Sequence, residues 1–508
     1  MKLHRFGGND PLSEHTNDQS KYLRCYLSDL GAKSVIEEPE YFDRDYLDEY
    51  SAYYSRVATP TSNRCKRLHF FSRALTQDQL TTALDGPGRD RGQLEASYLG
   101  FVIVRPLKHA PLGRSVIKWY RDNLKRYEGN PRVTPATREY VAHLAGLSLR
   151  VQGLAWQQQD GAVALCATTA LWSMLHSSAF DDHHAVPTTA EVTRLAYHSA
   201  RQGLHVFPAS DGLDVRQMTD AIARAKLTPM LMVGEASSSD GARPAFSREK
   251  FAACAVMLRS GFPVLISGHL ADRGGHVICA TGFRDVGARG GPGDLVLQDA
   301  EIETFYAHDD NLGPNVRLKV ELGEHEEVIL RTSPPPKRYR GKRLPDPAKD
   351  YPEFTPGELI VGVHEGLHVT PDELHQIAVK LMNNLKQHLE GPSQPLTATA
   401  RFVRISEYLR TTLTTPFGGP AVRSGDLGLF RRSISERLPA LSLYVGVIRI
   451  GFGIAPIADV LIDTSDRPRL ERNDWNAFGT ILFAPQFQPA ITALQERLPL
   501  GVVLVRGQ

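Results

Sequence analysis

Gln157-Gln158-Gln159-Asp160-Gly161-Ala162-Val163-Ala164-Leu165-Cys166-Ala167-Thr168-Thr169-Ala170-Leu171-Trp172-Ser173-Met174-Leu175 is the stretch on which the reading of the chain turns. A polar turn containing glycine gives way at Cys166 to small and apolar residues of helical character. That pattern predicts a thiol at a helix N-terminus, where unpaired N–H groups and the positive end of the helix dipole favour a thiolate. A cysteine in such a place also packs well as a small hydrophobe, so the rest of the chain has to decide between chemistry and packing.

Length and composition frame that decision. A chain of 508 residues has room for two to four domains. Its 59 basic and 57 acidic residues nearly cancel, so overall charge calls for neither nucleic acid nor an anionic membrane. Cys25, Cys65, Cys166, Cys254 and Cys279 are scattered, odd in number and without a C-x-x-C pair, which argues against a disulfide framework and against a thiolate zinc site. A reducing compartment is expected. Residues 1–20 lack the apolar segment of a signal peptide, and no apolar run is long enough to span a bilayer, so the expectation is a cytoplasmic protein without membrane contact.

The patterning predicts three regions and a linker. Residues 1–150 alternate strand-like runs (67–71, 99–107) with helical stretches and read as an α/β domain of unknown role. Residues 151–331 place helices first, including one announced by the capping box Thr188-Thr189-Ala190-Glu191, and an antiparallel sheet last, which is α+β order. Residues 332–350 are proline-rich and carry six basic residues, as a semi-extended solvated linker does. Residues 351–508 read as a C-terminal α+β domain, with a helix specified by Thr370 as N-cap, Pro371 at the first position and Glu373 closing a capping box. The expected fold class is therefore α+β, with a central catalytic-type domain flanked by two α/β or α+β domains.

Downstream of Cys166, a strand enters through Gly274-Gly275-His276, and another ends in Asp309-Asp310 before the turn Asn311-Leu312-Gly313-Pro314. The order Cys, His, Asp, together with Gln159 ahead of the cysteine, resembles the papain-like cysteine peptidases. The likeness is to their compact bacterial form, the peptidases that process double-glycine leader peptides and their stand-alone relatives, and it covers residues 155–320. The residue after the nucleophile is Ala167 where that group usually carries Gly, and the loop between the histidine and aspartate strands is longer. The resemblance implies a papain-like central domain with Cys166 as nucleophile, His276 as acid–base partner, a strand-ending Asp to orient it and Gln159 as oxyanion donor. Asp309 is the first choice for the acid, with Asp310 and Asp299 as alternatives.

The chemistry demands these residue types. An imidazole beside the thiol takes its proton and later protonates the leaving amine. A carboxylate on the far ring nitrogen fixes tautomer and orientation, and preorganised N–H donors hold the oxyanion. The expected function is cleavage of a peptide or isopeptide bond in a protein or peptide substrate, without cofactor or metal, with a protein partner possible through the flanking domains. A non-catalytic peptide-binding module and an acyltransferase of transglutaminase type are the alternatives.

Other motifs carry bland readings. His364-Glu365-Gly366-Leu367-His368 matches the zincin pattern but falls in a turn, where two histidines four apart do not share a helix face. Asp181-Asp182-His183-His184 reads as a solvated loop, Asp459 to Asp466 as an acid-rich strand end, and Arg114 as surface decoration in a turn.

Overall fold

The computed structural model describes the chain except residues 59–60, 87, 121–130, 161–165, 198–211, 237–242, 288, 334–345, 390–393, 415–431, 433–434, 437–440 and 506–508. The fold is α+β. Its first sheet has five strands in chain order, Lys2–Arg5, Ser34–Tyr41, Cys65–Phe71, Tyr98–Val104 and Leu112–Ile117, and every neighbouring pair is antiparallel. The α/β expectation for this region is thus corrected. The misleading signal has a physical origin. Tyr98–Val104 is buried at every position, so it reads as the unbroken apolar run of a strand covered on both faces, the pattern associated with parallel sheets. Gly100 lies at φ 129°, where a Cβ would sit 2.1 Å from the Val116 carbonyl oxygen, so the close approach of the last two strands requires glycine.

At the centre six antiparallel strands close on themselves. Val264–Leu270, Gly274–Arg284, Thr304–Asp309, Gly313–Leu322, Val328–Ser333 and Phe354–Val363 follow one another, and the last pairs back with the first from Leu265↔Ile360 to Leu270↔Phe354. Leu330↔Phe354 joins the fifth and sixth strands. Thr228–Val233 extends the sheet from the sixth strand, and Arg132–Val133 adds to the end of the second. Helices Cys166–Leu175 and Arg248–Arg259 pack on the barrel.

This closure corrects the expected boundaries. Phe354–Val363, assigned to the C-terminal domain, is the barrel's sixth strand, and Arg132–Val133, assigned to the N-terminal domain, pairs with its second. The proline-rich segment before residue 351 therefore joins consecutive strands of one barrel. Its composition reports local stiffness and solvation, which an interdomain linker and a long strand connection share. Most of the expected linker, residues 334–345, lies outside the described residues.

The third sheet orders Leu295–Leu297, Leu396–Arg404, Tyr444–Phe452, Ala455–Asp463, Ala477–Leu482 and Val502–Val505, with parallel pairing at both edges. Its first strand falls inside residues 151–331, the stretch expected to form the antiparallel sheet of the central domain. It is three residues long and instead runs beside Leu396–Ala398. Helix Pro371–Lys386 lies on this sheet through Leu374, Ile377, Ala378, Leu381 and Leu385, an i, i+3, i+4 stripe. Both halves of its capping box form, Thr370 Oγ1 accepting from Glu373 N at 3.2 Å and Glu373 Oε2 from Thr370 N at 2.7 Å. One hydrophobic cluster runs through all three sheets. Among the described residues no helix is long and apolar enough to cross a membrane.

A chain ending at residue 333 lacks the sixth barrel strand and exposes two sheet edges lined with Leu265, Ile266 and Leu330, all buried in the intact fold. Such a fragment is expected to lose the cooperative thermal transition of the full chain in circular dichroism; a sharp transition in the fragment would contradict barrel closure.

Candidate active site

Cys166 is the first residue of its helix and is half-buried, while Ala167 to Leu175 are all buried. The helix is apolar on every side because it is enclosed: Trp172 is fully buried and packs on His176 with ring centroids 4.3 Å apart. Enclosure fixes the helix, and Cys166 is its one half-buried residue.

His276 stands on the histidine strand Gly274–Arg284, opposite Gly268. A Cβ on Gly268 would meet the Thr355 carbonyl oxygen at 2.2 Å, so glycine there lets the first and sixth barrel strands close directly beneath the histidine. The His276 ring is 4% exposed and meets the edge of Phe354 at 6.0 Å. Its Nε2 hydrogen-bonds Asp309 Oδ1 at 3.1 Å, and the Cys166 side chain is close enough to help raise the imidazole's pKa. With Nε2 engaged by the carboxylate, Nδ1 is the nitrogen left for the thiol.

Asp309 ends its strand and is fixed from four sides. Oδ1 also accepts from the Asn311 backbone N–H at 2.9 Å, Oδ2 accepts from the Tyr351 hydroxyl at 2.9 Å, and the main-chain oxygen accepts from Trp156 Nε1 at 2.9 Å. Burial alone would raise its pKa, but the His276 charge and the bonds from His276, Tyr351 and Asn311 outweigh burial and hold the carboxylate below its ordinary range. Burial likewise works against a charged His276. The adjacent Asp309 carboxylate, with smaller contributions from Cys166 and Asp310, nevertheless keeps the imidazole well above its usual pKa.

The two alternative acids stand elsewhere. Asp299 is buried and committed: Oδ1 accepts from Arg259 Nε and Nη2 at 3.1 and 2.9 Å, and Oδ2 accepts from the Ala400 N–H at 2.8 Å and contacts His375 Nε2 at 3.4 Å. It ties the barrel's helix to the third sheet, away from His276. Asp310 is beside the histidine, since ligand atoms of His276, Asp309 and Asp310 fall within 4.8 Å of one another. Neither Asp310 carboxyl oxygen has a hydrogen-bond partner, and burial, reinforced by Asp309, pushes its pKa up to about 7 despite the opposing His276 charge.

The three glutamines separate by partner. Gln157 is buried and donates to Glu49 Oε1 at 2.8 Å; Gln158 is buried, its Oε1 accepting from Leu112 N at 3.3 Å. Gln159 is half-buried and donates to Asn311 Oδ1 at 2.6 Å, beside the acid. Hydrogen bonds thus run from Gln159 through Asn311 and Asp309 to His276, beside Cys166. Tyr351, Asn311 and Trp156 belong to the site although nothing in their local sequence marks them; Asn311 read as a turn residue, and Tyr351 as the first residue past the linker.

The bland motifs stay apart from this chain of bonds. His364 is buried, stacks on Tyr444 at 4.5 Å and hydrogen-bonds His183, while the His368 N–H donates to Thr464 O. Gly366 between them lies at φ 87°, a left-handed turn position, so the pair is not helical. Asp182 pairs with Arg404 at 2.5 Å, and Asp181 pairs with Arg138. Asp459 takes a bidentate Arg449 at 2.7 and 2.8 Å. Arg114 is no surface decoration: it pairs with the buried Asp43 at 2.6 Å. Among the described residues the sole cluster of three or more metal-ligating side chains is His276, Asp309 and Asp310, where His276 and Asp309 spend their facing atoms on each other. No protein-family model, curated protein or solved structure matches this chain.

Asp310 makes a pH prediction. A carboxyl whose folded pKa is raised from 3.8 to about 7 stabilises the fold most below the unfolded value and progressively less as pH climbs toward 7. Asp310→Asn removes that dependence, so the melting temperature of the variant relative to wild type is expected to rise between pH 5 and pH 8; a constant difference would refute the buried, unpartnered carboxyl.

Proposed function

We propose that this chain is a papain-like cysteine peptidase that cleaves a peptide or isopeptide bond in a protein or peptide substrate. The observation that carries the reading is His276 hydrogen-bonded to the buried Asp309 and close enough to the Cys166 side chain for the thiol to act on the imidazole. In this reading His276 takes the Cys166 proton as sulfur attacks the scissile carbonyl carbon. The tetrahedral oxyanion is held by the Gln159 side-chain amide, whose second N–H is left after the bond to Asn311, and by the Cys166 N–H at the helix N-terminus. His276 then gives its proton to the leaving amine, the C–N bond breaks, and a thioester to Cys166 remains. A water molecule, deprotonated by His276, attacks the thioester and releases the acid.

Asp309 keeps the imidazole turned toward the thiol throughout. Its own bonds from Tyr351 and Asn311 satisfy the charge that burial would otherwise make costly. An apolar helix behind Cys166 and the barrel behind His276 leave little freedom to either partner, which is the preorganisation acyl transfer needs.

Thiol reactivity tests the first half of this reading. Cys65, Cys254 and Cys279 are buried, and burial raises the pKa of each, so iodoacetamide near neutral pH is expected to label Cys166 far faster than these three. Uniform labelling would sink the thiol–imidazole pair. The second half rests on the acids. New N-termini generated in a cell lysate by the wild type and absent with Cys166→Ala report turnover; Asp309→Asn is expected to slow their appearance by about 10²–10⁴-fold with a modest loss of stability. Asp299→Asn is expected instead to cost stability, on the order of 3–5 kcal/mol for breaking a buried ion pair, measured by urea unfolding. The reverse ranking would reassign the acid.

A further inference from the structure

A cavity of about 540 Å³ lies on the far side of the barrel helix from the histidine strand. It is bounded by Ser178 and Ala179, just past the end of the Cys166 helix, by Ser260 and Gly261 after helix Arg248–Arg259, and by residues 401–404 of the third sheet. Its volume falls within the range of small-molecule sites. At 1.5 Å per residue the helix carries the chain roughly 14 Å from Cys166 to Leu175, and Ser178 and Ala179 lie beyond its end, so the cavity is not part of the site described above.

Three arginines are among the residues that line it, Arg259, Arg401 and Arg404. Arg259 is answered by Asp285 at 3.0 Å and Asp299 at 2.9 Å, and Arg404 by Asp182 at 2.5 Å. Asp459, the nearest carboxylate behind Arg401, is already saturated by both nitrogens of Arg449 and by the Tyr408 hydroxyl at 2.8 Å. Arg401 is half-buried, and among the described residues its side chain has no hydrogen bond and no ion pair. The exposed Glu407 on the rim forms no ion pair either. Burial, and the like charges of Arg449 and Arg259, weigh against a protonated Arg401 and are only partly offset by Asp459. Arginine does not neutralise itself, so such a group is stabilised by an anion from outside the chain.

The donors available suit one. Arg401 offers all five of its N–H groups; Arg404 spends two, on Tyr444 and Asp182, and keeps three. The hydroxyls nearby are not competitors, because Ser260 Oγ donates to Val256 O and accepts from Phe402 N, and Ser178 Oγ donates to Thr137 O.

We infer that this cavity binds the anionic head of a small molecule, a phosphate or a carboxylate, with the Arg401 fork as its principal donor and Arg404 beside it. Both anions present oxygens at the spacing a guanidinium fork takes in bidentate fashion. Seated there, the ligand joins the Cys166-helix end, the barrel helix and the third sheet, three elements that meet at this cavity.

The test is a thermal-shift titration of the full chain with sodium phosphate and, separately, sodium citrate, at ionic strength held constant with sodium chloride. At least one anion is expected to give a saturable rise in melting temperature, and the one that does identifies the head group. Arg401→Met is expected to weaken the apparent affinity by about tenfold or more, while Arg64→Met, which removes an exposed arginine paired with Glu40, leaves it unchanged. Should Arg401→Met not fold, Arg401→Lys, which keeps the charge and loses the fork, is expected to show the same weakening. No saturable shift with either anion, an undiminished shift in the Arg401 variants, or an equal loss in Arg64→Met would overturn the site.

Discussion

The constraint on which the candidate site depends is the burial of the Asp309 carboxylate. A charge taken out of water has to be repaid by hydrogen bonds and an opposite charge, or the group takes a proton instead. Here the compensation comes from three directions: the histidine strand, the turn at Asn311, and the segment entering the last barrel strand at Tyr351, while the Trp156 indole ahead of the glutamines holds the main-chain oxygen of the same residue. Each donor sits in a different part of the chain. The carboxylate keeps its full set of donors only where these parts of the barrel are assembled, so the geometry of the candidate site and the tertiary fold are one requirement.

The docking of the 156–160 loop rests on a second buried charge. Arg105, at the end of an N-terminal strand, pairs with Glu49 at 3.0 Å and donates to the main-chain oxygen of Gln158 at 3.0 Å. Glu49 in turn accepts from the Gln157 amide, and the Tyr54 hydroxyl donates to Asp160 at 2.5 Å. Gln157, Gln158 and Asp160 are thereby held by residues of the first sheet and its helices, and Gln159 is the member of the run left facing Asn311. Removing one partner from such a network leaves an uncompensated charge, which costs more than the pair itself contributes. The first region is therefore part of the frame of the site and not an appendage to it.

What was legible in the sequence follows from how local each signal is. Cys166 and His276 announce themselves through their neighbours, a helix start after a glycine turn and a strand entered through two glycines, and the α+β order of the central region is carried by the same short-range patterns. The capping box at Thr370 is of that kind as well. The choice among Asp299, Asp309 and Asp310 is not local: all three end apolar runs, and what separates them is that Arg259 and His375 have claimed the first while Tyr351 and Asn311 serve the second. Tyr351 lies 42 residues from the carboxylate it supports. Barrel closure is equally remote, because Phe354–Val363 looks like any other buried strand until its register against Val264–Leu270 is known.

Asp309 and Asp310 are adjacent in sequence and both buried beside His276, yet their environments push them apart. Asp309 collects donors and stays ionised; Asp310 has none, and burial next to another carboxylate favours its neutral form up to about pH 7. Two ionised carboxylates beside one imidazolium would leave a net negative charge in an interior that solvates it poorly, and would oppose a thiolate on the other side of the ring. With one of them protonated, the imidazolium is balanced by Asp309 when the thiol is neutral. Environments that drive neighbouring titratable groups to opposite states are the signature of acid–base assignment in enzymes.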